Sequence, residues 1–471
     1  MIFFFEIVNI GPFMSDFVRT GSGSCRPGAG CSGLPFAIGG ACRTMGKAMG
    51  SLEFTKTTYM KTVHIVGNRP QFVKLSLLYR AWERRGVGRP LIVHTGQHFS
   101  DNMSAVFFED FHIPAPDHQL NINSQPHAGM IGQMLIALDA VIAREKPDGI
   151  VVYGDTNTTL AGALAAKKRN IPLAHVESGI RTGKEDMPEE SNRYLTDRLA
   201  GLNFTCTYRG MENLLKEGYT AGRDADLKGP GTGEKGELKR AGGEEGKKDD
   251  DYRSAGAGRE QSGAGGSGVI DSLVYNTGDL MLDAALLFKD KARERSSLLR
   301  QLDLEGKPFI LATIHRTENL EDPGVLREIL HALHVLHRSL PVVFPVHPRT
   351  RQLIDQHGIP LQVLSVPPIG YLDMIALVQA CRHVITDSGG LSREAFFFHK
   401  PSVIVMQHPF WPEILEHGPS LQADADSSDI LEKFQALGNS STPFKTELFG
   451  DGHAAERISD ILLRSWQALH S

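Results

Sequence analysis

Three carboxylates lie at the ends of predicted strands in the first half of the chain. Asp155 follows the apolar run at residues 149–153, Glu177 follows the next run, and Glu189 opens the helix predicted after it. Taken singly, each has a structural explanation, because acids cap helices and are favoured at helix N-termini. For Asp155 alone a helix cap is the favoured interpretation. Together they form a candidate acid–base set, because clustered carboxylates raise one another's pKa and this suits proton transfer.

Basic residues that could bind an anion follow the first strand of each half. Arg69 and Lys74 lie at the start of the helix after residues 63–66, where the helix dipole favours a negative ligand. Alone, both fit surface charges equally well. His315 directly follows the apolar run at 309–314 and could transfer a proton or donate to a phosphate. The turn after the first strand carries neither a GxGxxG dinucleotide fingerprint nor a Walker A loop.

The most informative string is Thr386-Asp-Ser-Gly-Gly-Leu-Ser-Arg-Glu394, which leads into a predicted helix. Ser388, Gly389 and Gly390 would let backbone N–H groups approach a diphosphate closely. Glu394 lies one turn further, within reach of a ribose diol. A helix start capped by Asp387 or Ser388 explains the Ser-Gly pair but not the whole string.

Short apolar runs alternate with helix-period stretches through both halves. The runs in the first half lie at residues 63–66, 90–93, 149–153, 171–174 and 202–205. Those in the second half lie at 309–314, 342–346, 361–364, 383–386 and 402–406. This alternation predicts an α/β protein with two Rossmann-like, doubly wound parallel-sheet domains that face a cleft. Ligands bind such sheets at the carboxyl ends of the strands, where the residues above are found.

Composition excludes several classes. The 471 residues are 41% hydrophobic and 22% charged, with a net charge of −5, so no global basic field favours nucleic acid or an anionic membrane. Five scattered cysteines without a CxxC pair argue against a disulfide framework or a structural zinc site. No apolar run reaches the ~18 residues of a membrane span. We expect a cytoplasmic protein without a signal peptide, membrane or nucleic-acid partner.

The 49 glycines are concentrated in two segments that mark domain boundaries. Residues 1–59 are predicted to be an appendage, either disordered or a mis-assigned start, and residues 219–268 a charged, low-complexity insert that cannot bury enough surface to fold. Between them, residues 60–218 are predicted to form the N-terminal domain. Residues 269–450 are predicted to form the C-terminal domain, and residues 451–471 a helix that could cross back to the N-terminal domain.

A set of short strings, in a fixed order, resembles the non-hydrolysing UDP-N-acetylglucosamine 2-epimerases and covers residues 61–218 and 270–460. The strings are Gly67-Asn-Arg-Pro70 with Lys74, Thr95-Gly-Gln-His98, Gly154-Asp-Thr156, His175-Val-Glu-Ser-Gly179 with Arg181-Thr182, Pro188-Glu-Glu190 with Asn192-Arg193, His315-Arg316 with Glu318-Asn319, and Thr386-Asp-Ser-Gly-Gly390 with Glu394-Ala395. The segments at residues 98–103 and 345–350 resemble a branch that acts on modified UDP-sugars.

The resemblance implies a GT-B-like pair of domains with UDP in the cleft, commonly in a homodimer, and no nicotinamide, metal or other cofactor. It implies conversion of UDP-GlcNAc to UDP-ManNAc, or of a modified analogue, for polysaccharide or cell-wall precursors. UDP would be eliminated and added back through a 2-acetamidoglucal. The implied acid–base set is Asp155, Glu177 and Glu189, assisted by His315. The implied substrate contacts are Arg69, His315, Ser388, Gly389 and Gly390 for the diphosphate, Lys74 near it, and Glu394 for the ribose.

The sequence departs from the family at four positions. Gln71 stands where many members have Glu, and Ser178 where Ala is usual. Met406 occupies the place of an Arg and Phe410 that of a Glu. An anion contact is lost in that segment, which leaves the identity of the sugar open.

Three alternatives remain at this point. A hydrolysing epimerase would release UDP and free N-acetylmannosamine, but the Arg69-Pro70 pair with Lys74 argues for the non-hydrolysing kind. A GT-B glycosyltransferase would share the nucleotide half but not the three carboxylates. A catalytically inactive nucleotide-sugar-binding protein would bind without turnover.

Overall fold

The computed structural model describes residues 59–97, 108–222, 272–438 and 442–469. The predicted appendage at 1–59 and the predicted insert at 219–268 lie almost entirely outside these residues. The described chain forms two lobes, each built on a parallel sheet.

The first sheet has eight strands in the order β3-β2-β1-β4-β5-β6-β8-β7, and every pairing is parallel. Its strands are β1 (Thr62–Val66), β2 (Leu91–His94), β3 (His118–Gln119), β4 (Gly149–Tyr153), β5 (Leu173–Ser178), β6 (Leu202–Thr205), β7 (Thr220–Ala221) and β8 (Leu273–Asn276). The central strands are rich in Val and Ile and buried throughout, as expected for a sheet covered on both faces.

The second sheet has six strands in the order β11-β10-β9-β12-β13-β14, again all parallel. Its strands are β9 (Ile310–Thr313), β10 (Val342–Pro345), β11 (Leu364–Val366), β12 (His383–Thr386), β13 (Ser402–Val405) and β14 (Ser420–Ala423). Both sheets reverse their strand order, between β1 and β4 and between β9 and β12. The prediction of two doubly wound parallel sheets is therefore confirmed, and each has the switch point at which ligands bind.

Helices cover both faces of each sheet. In the first lobe they are α1 (Arg69–Arg85), α2 (His127–Glu145), α3 (Asn157–Lys168), α4 (Pro188–Leu199) and α5 (Tyr208–Lys216). The second half of the chain contributes α6 (Leu280–Arg295), α7 (Leu298–Gln301), α8 (Thr317–Leu320), α9 (Pro323–His337), α10 (Pro348–Gln356), α11 (Tyr371–Ala380), α12 (Gly389–Phe397), α13 (Pro412–Glu416), α14 (Ser427–Leu437), a 3₁₀ turn (Thr446–Phe449) and α15 (Ala454–Gln467). None of the helices in the described ranges has the length and apolar character needed to span a membrane.

The chain passes between the lobes at two adjoining glycines. β8 pairs with β6 in the first sheet, so the first lobe extends beyond residue 269, where the C-terminal domain was predicted to begin. The chain then leaves through Gly278 and returns through Gly450, and Asp279 N donates to Phe449 O at 2.7 Å. Both glycines have positive φ, 91° and 111°, and a Cβ on Gly278 would lie 3.2 Å from the Cα of Gly450. After the return, α15 packs against α1 of the first lobe.

A shared apolar core joins the lobes beneath this crossing. One continuous cluster of buried side chains includes Phe72 of α1, Leu282 of α6, Leu372 of α11, Phe449 and Ile458 of α15. Burial of that surface away from water stabilises the arrangement of the two sheets. The carboxyl ends of the strands are thereby brought to a common cleft.

Candidate active site

A cavity of about 780 Å³ lies in the cleft, within the ~300–1,000 Å³ range usual for ligand sites. Its wall contains residues from the loops after β1, β4 and β5 of the first sheet and after β9, β10 and β12 of the second. Among the predicted site residues it is lined by Arg69, Lys74, Asp155, Glu177, His315, Ser388, Gly389, Gly390 and Glu394. The structure therefore brings together residues that are distant in the sequence.

Glu177 occupies an irregular end of β5. The pairing with β6 shifts register between Val176 and Ser178, and Glu177 has a positive φ of 71°, a conformation that is uncommon for a residue with a side chain. This turn directs its carboxylate toward Lys74 Nζ at 2.6 Å and Arg393 Nη1 at 2.8 Å. Burial alone would raise the pKa of Glu177, but the two cations outweigh it and hold the pKa well below its usual range.

Asp155 is held by α4 and does not cap a helix. Thr156 is the N-cap of α3 and accepts a hydrogen bond from Thr159 N, so the favoured interpretation of Asp155 as a cap was wrong. Instead Arg193 Nη2 donates to the Asp155 carboxylate at 2.5 Å, and Asn192 Nδ2 donates to the Asp155 carbonyl at 2.9 Å. Two side chains of one helix thus fix the position of this acid.

Glu189 differs from the other predicted acids. It is half-buried in the first turn of α4 and is not among the described residues that line the cavity. Its neighbour Glu190 is buried and accepts from Arg193 Nη1 at 2.5 Å and from Thr182 Oγ1 at 3.0 Å. Glu190 therefore supports the arginine that holds Asp155.

The loop after β1 is organised by side-chain amides. Asn68 caps α1 by accepting from Gln71 N. Gln71 accepts from Gly67 N and donates to Tyr153 O, each at 2.7 Å, so it ties the ends of β1 and β4 together. Arg69 reaches across the cleft and donates from Nη1 to Ile369 O at 2.8 Å. This loop therefore contacts both lobes.

In the second lobe, Asp387 positions the loop that carries His315. Its buried carboxylate accepts from the backbone N–H groups of His315 and Arg316, at 2.9 Å each, and from Asn319 Nδ2 at 3.1 Å. Its other oxygen lies 3.2 Å from His315 Nδ1. Burial lowers the pKa of His315, but Asp387 outweighs it and the net pKa is raised above 6.5. An imidazolium here would suit a phosphate group.

The glycine turn begins α12. Ser388 is the N-cap and accepts from Leu391 N, as the capping interpretation predicted, and Gly389 and Gly390 form the first residues of the helix beside the cavity. The positive end of the helix dipole therefore faces the cavity. Glu394 lies one turn further on and is buried, which raises its pKa to about 7 against the opposing charge of Arg393.

A buried cluster of possible metal ligands next to the cavity does not suggest an empty metal site. Glu177, Cys206 and Asp279 lie close enough together to share an ion. Arg393 Nη1, however, already contacts Glu177 and Asp279, at 2.8 and 2.7 Å. Burial also raises the pKa of the Cys206 thiol, which disfavours the thiolate that metals bind. A guanidinium thus takes the place that a cation would need.

A family model, UDP-N-acetylglucosamine 2-epimerase, matches residues 80–223 and 266–463. The chain belongs to this family. The resemblance inferred from the short strings is therefore confirmed at the level of the family, and with it the prediction of an epimerase.

Relatives of this UDP-N-acetylglucosamine 2-epimerase family member match most of its length and nearly all of their own. A UDP-2,3-diacetamido-2,3-dideoxy-D-glucuronate 2-epimerase of Pseudomonas aeruginosa is 38% identical over 86% of this chain and 100% of its own. A second relative is the UDP-GlcNAc 2-epimerase of Methanocaldococcus jannaschii, whose structure was solved in complex with UDP-GlcNAc and UDP. It is 30% identical and superimposes with a TM-score of 0.70, covering 86% of this chain and 100% of its own. A Staphylococcus aureus MnaA–UDP structure is 26% identical and has a TM-score of 0.69, covering 88% of this chain and 98% of its own. These neighbours confirm the predicted GT-B-like arrangement.

Several site residues of this family member were not singled out from the sequence. They are Arg193, Asp279, Arg393 and Trp411, which are buried around the predicted carboxylates. Arg193 is part of one of the strings that carried the family resemblance, and Arg393 lies between two parts of another. The spacing of these strings alone did not predict which acid either arginine would contact. The signal that was available is their charge, because a fully buried arginine requires a nearby acid.

Proposed function

We propose that the chain is a non-hydrolysing epimerase that inverts C2 of a UDP-N-acetylhexosamine or a modified analogue. The observation that carries this proposal is that Asp155, Glu177 and the Ser388–Gly390 turn line the same cavity. Proposed acid–base groups and a proposed diphosphate-binding turn are then open to one bound substrate. UDP would occupy the second lobe, with its sugar directed toward the first.

The reaction would proceed by elimination and re-addition. The C2 proton is not adjacent to a carbonyl, so its removal must accompany cleavage of the C1–O bond. A base takes the C2 proton, the C1–C2 double bond forms, and UDP leaves with the electron pair of the C1–O bond. The resulting 2-acetamidoglucal then accepts a proton on the other face of C2, and UDP adds back to C1.

The proposed roles follow the charge that develops in this sequence. Arg69, His315 and the N–H groups at Ser388, Gly389 and Gly390 would stabilise the departing diphosphate, with Lys74 near it. Asp155 and Glu177 would exchange protons on the two faces of C2, assisted by His315. Glu189 does not line the cavity in this structure, so it would have to approach the sugar when substrate binds in order to take part. Glu394 would accept hydrogen bonds from the ribose hydroxyls.

The ion pairs of Glu177 bear on when it can act. A carboxylate that is stabilised by Lys74 and Arg393 is a weak base. A diphosphate that binds at the glycine turn would draw on the same two cations and weaken their hold on Glu177. The pKa of Glu177 would then rise and its basicity increase only when the leaving group is in place.

A modified sugar is the second candidate substrate. The Pseudomonas aeruginosa relative is named for a diacetamido uronic acid, and Phe410 lines the cavity here where many family members have Glu. An aromatic ring at that place removes a negative charge that would repel an acidic sugar. The proposal therefore includes UDP-2,3-diacetamido-2,3-dideoxy-glucuronate as a substrate to be tested beside UDP-GlcNAc. The homodimer and the cytoplasmic location stay predictions.

Proton NMR in D₂O tests this proposal. The protein is incubated separately with each of the two UDP-sugars, with the Asp155→Asn variant as the matched control. Deuterium at C2 together with the 2-epimer of the UDP-sugar is the expected result. Free sugar would instead identify a hydrolysing enzyme. Transfer to an acceptor would identify a glycosyltransferase, and binding without exchange of either sugar would identify an inactive nucleotide-sugar-binding protein.

A further inference from the structure

Two consecutive aromatic residues, Phe410 and Trp411, pack on two different arginines beside the cavity. The Cζ atom of Arg193 lies 4.8 Å from the centroid of the Phe410 ring. The Cζ atom of Arg393 lies 4.2 Å from the centroid of the Trp411 ring. Both distances are within the range of cation–π attraction, which is stronger where water is excluded. Both guanidiniums are buried, so both contacts are of the stronger kind.

Each of these arginines holds one of the two proposed acid–base carboxylates that line the cavity. Arg193 donates to Asp155 at 2.5 Å, and Arg393 donates to Glu177 at 2.8 Å. In both arginines the Nε atom is buried and has no hydrogen-bond partner among the described residues. The hydrogen bonds described for each guanidinium therefore come from its Nη atoms, and the aromatic face adds a further constraint on its plane.

The same two aromatics also contact the glycine turn. Trp411 Nε1 donates to Gly389 O at 3.1 Å. Phe410 packs so closely against Gly389 that a Cβ there would lie 2.7 Å from Cδ2 of its ring. On its other side Phe410 meets Arg316, whose Cζ lies 4.9 Å from the ring centroid. The pair therefore joins the predicted diphosphate turn to both carboxylate–arginine pairs.

We propose that Phe410 and Trp411 are positioning residues that couple the glycine turn to Asp155 and Glu177. This inference rests on the proposed function, because it takes that turn as the site of the diphosphate. Phe410 acts across the cleft through Arg193 of the first lobe, whereas Trp411 acts through Arg393 of its own lobe. A ligand that displaces the backbone at Gly389 shifts both rings, and with them the guanidiniums that orient the two carboxylates.

Paired substitutions separate this role from simple packing. Phe410→Leu keeps an apolar side chain but removes the ring face, whereas Phe410→Tyr keeps the face. We expect Phe410→Leu to slow C2 proton exchange about tenfold while UDP affinity by calorimetry stays within about threefold, and Phe410→Tyr to restore exchange. Phe434→Leu is the matched control, because that ring packs on His383 in the second lobe away from the cavity. Parallel loss of affinity and exchange in Phe410→Leu, or no rescue by tyrosine, would overturn the inference.

Tryptophan emission gives a readout that does not depend on turnover. The chain has three tryptophans, and the difference between wild type and Trp411→Phe isolates the emission of Trp411. We expect UDP to change this emission and Glu177→Gln to alter the emission of the UDP complex. If the wild type exchanges no C2 proton, the epimerase proposal fails while this measurement still decides the inference. The inference would be overturned if the emission of Trp411 did not change when UDP binds, or if the emission of the UDP complex were the same in the wild type and in Glu177→Gln.

Discussion

Arg393 Nη1 lies 2.8 Å from Glu177 Oε2, although the two residues are 216 positions apart and belong to different lobes. The same nitrogen lies 2.7 Å from Asp279 Oδ2. One guanidinium therefore pairs with two buried acids and joins the lobes beneath the cavity.

The first prediction concerns this arginine. Within the described part of the chain, Arg393→Gln leaves Glu177 paired with Lys74 alone and takes the ion-pair partner of Asp279 away. Breaking a buried ion pair costs about 3–5 kcal/mol. We expect urea unfolding to show a lower midpoint and a free energy of unfolding reduced by that amount. Arg300→Gln is the control, since its pair with Glu305 is exposed and should leave the midpoint unchanged. Equal midpoints for both variants would show that the interlobe pair does not stabilise the fold.

The acid–base set predicts a specific pattern of exchange. Asp155→Asn and Glu177→Gln should abolish C2 deuteration while UDP affinity stays within about tenfold, because neither carboxylate is proposed to hold the nucleotide. Glu189→Gln tests the third acid separately, and we expect it too to lose exchange. Retained exchange in Asp155→Asn and Glu177→Gln would remove both residues from the mechanism. Retention in Glu189→Gln alone would remove only Glu189.

Glu394 and His315 predict opposite effects of pH on UDP affinity. The pKa of Glu394 is raised to about 7 by burial, with Arg393 opposing and Asp279 adding to the rise. Ribose hydroxyls donate more strongly to its ionised form, so affinity should rise as pH increases through about 7. The pKa of His315 is raised by Asp387 against burial and Arg316. Its imidazolium favours the diphosphate, so affinity should fall as pH increases through that raised pKa.

Calorimetry of UDP binding across the neutral pH range measures both changes in affinity. Glu394→Gln should remove the rise in affinity with increasing pH, and His315→Gln should remove the fall. Because the folded-state pKa of Glu394 lies above the ordinary carboxyl value, ionising it costs folding free energy above about pH 4. Glu394→Gln should therefore also increase stability at neutral pH. A pH profile that neither variant changes would contradict these assignments.

Gln71 should not tolerate the Glu that many relatives carry. Its Nε2 donates to Tyr153 O at 2.7 Å in a buried site, and a carboxylate would place an acceptor against that carbonyl. We expect Gln71→Glu to cost about 1–3 kcal/mol of unfolding free energy at neutral pH and less in acid, where the protonated side chain regains a donor. The exposed Gln133→Glu is the control, since Gln133 Oε1 only accepts a hydrogen bond. A pH-independent cost would count against this explanation.

Ser178 predicts a stabilising substitution. Its hydroxyl is buried and has no hydrogen-bond partner in the described part of the chain. Ser178→Ala should therefore raise the free energy of unfolding by about 1 kcal/mol, because an unpaired polar group no longer has to be buried. Ser459→Ala is the matched opposite, since the buried Ser459 hydroxyl donates to Ala455 O at 2.8 Å. In thermal unfolding, the melting temperature of Ser178→Ala should rise and that of Ser459→Ala should fall relative to wild type. A shift of both melting temperatures in the same direction would refute the argument.

The positions of most strands along the chain could be predicted from the sequence, because buried parallel strands are short, continuous apolar runs. The observed β4 and β12 match their predicted bounds, and β11 (Leu364–Val366) begins where the predicted run at 361–364 ends. The strands β3 and β7 have two residues each, too few to give a pattern. β8 has four residues, and it belongs to the first sheet because of its pairing with β6, which no local signal specifies.

The site was predictable to the extent that it depends on strand ends. Asp155, Glu177 and His315 follow strands, and parallel strands bring their carboxyl ends to one edge. Their partners come from helices instead. Arg193 meets Asp155, and Arg393 meets Glu177, only after α4 and α12 have packed. The assignment of Asp155 as a cap failed for a local reason, because Thr156 beside it could cap equally well.

The adjoining glycines at 278 and 450 give the two lobes a common pivot. Both covalent passages run side by side there, in backbone conformations without side-chain obstruction, so we expect any opening of the cleft to be a rotation about an axis through this point. Asp279 lies next to that axis and its bond to Arg393 would change little. The bond from Arg69 to Ile369 spans the cleft and would have to break with each opening. Entry of the substrate would then break this hydrogen bond, while the hinge itself stays intact.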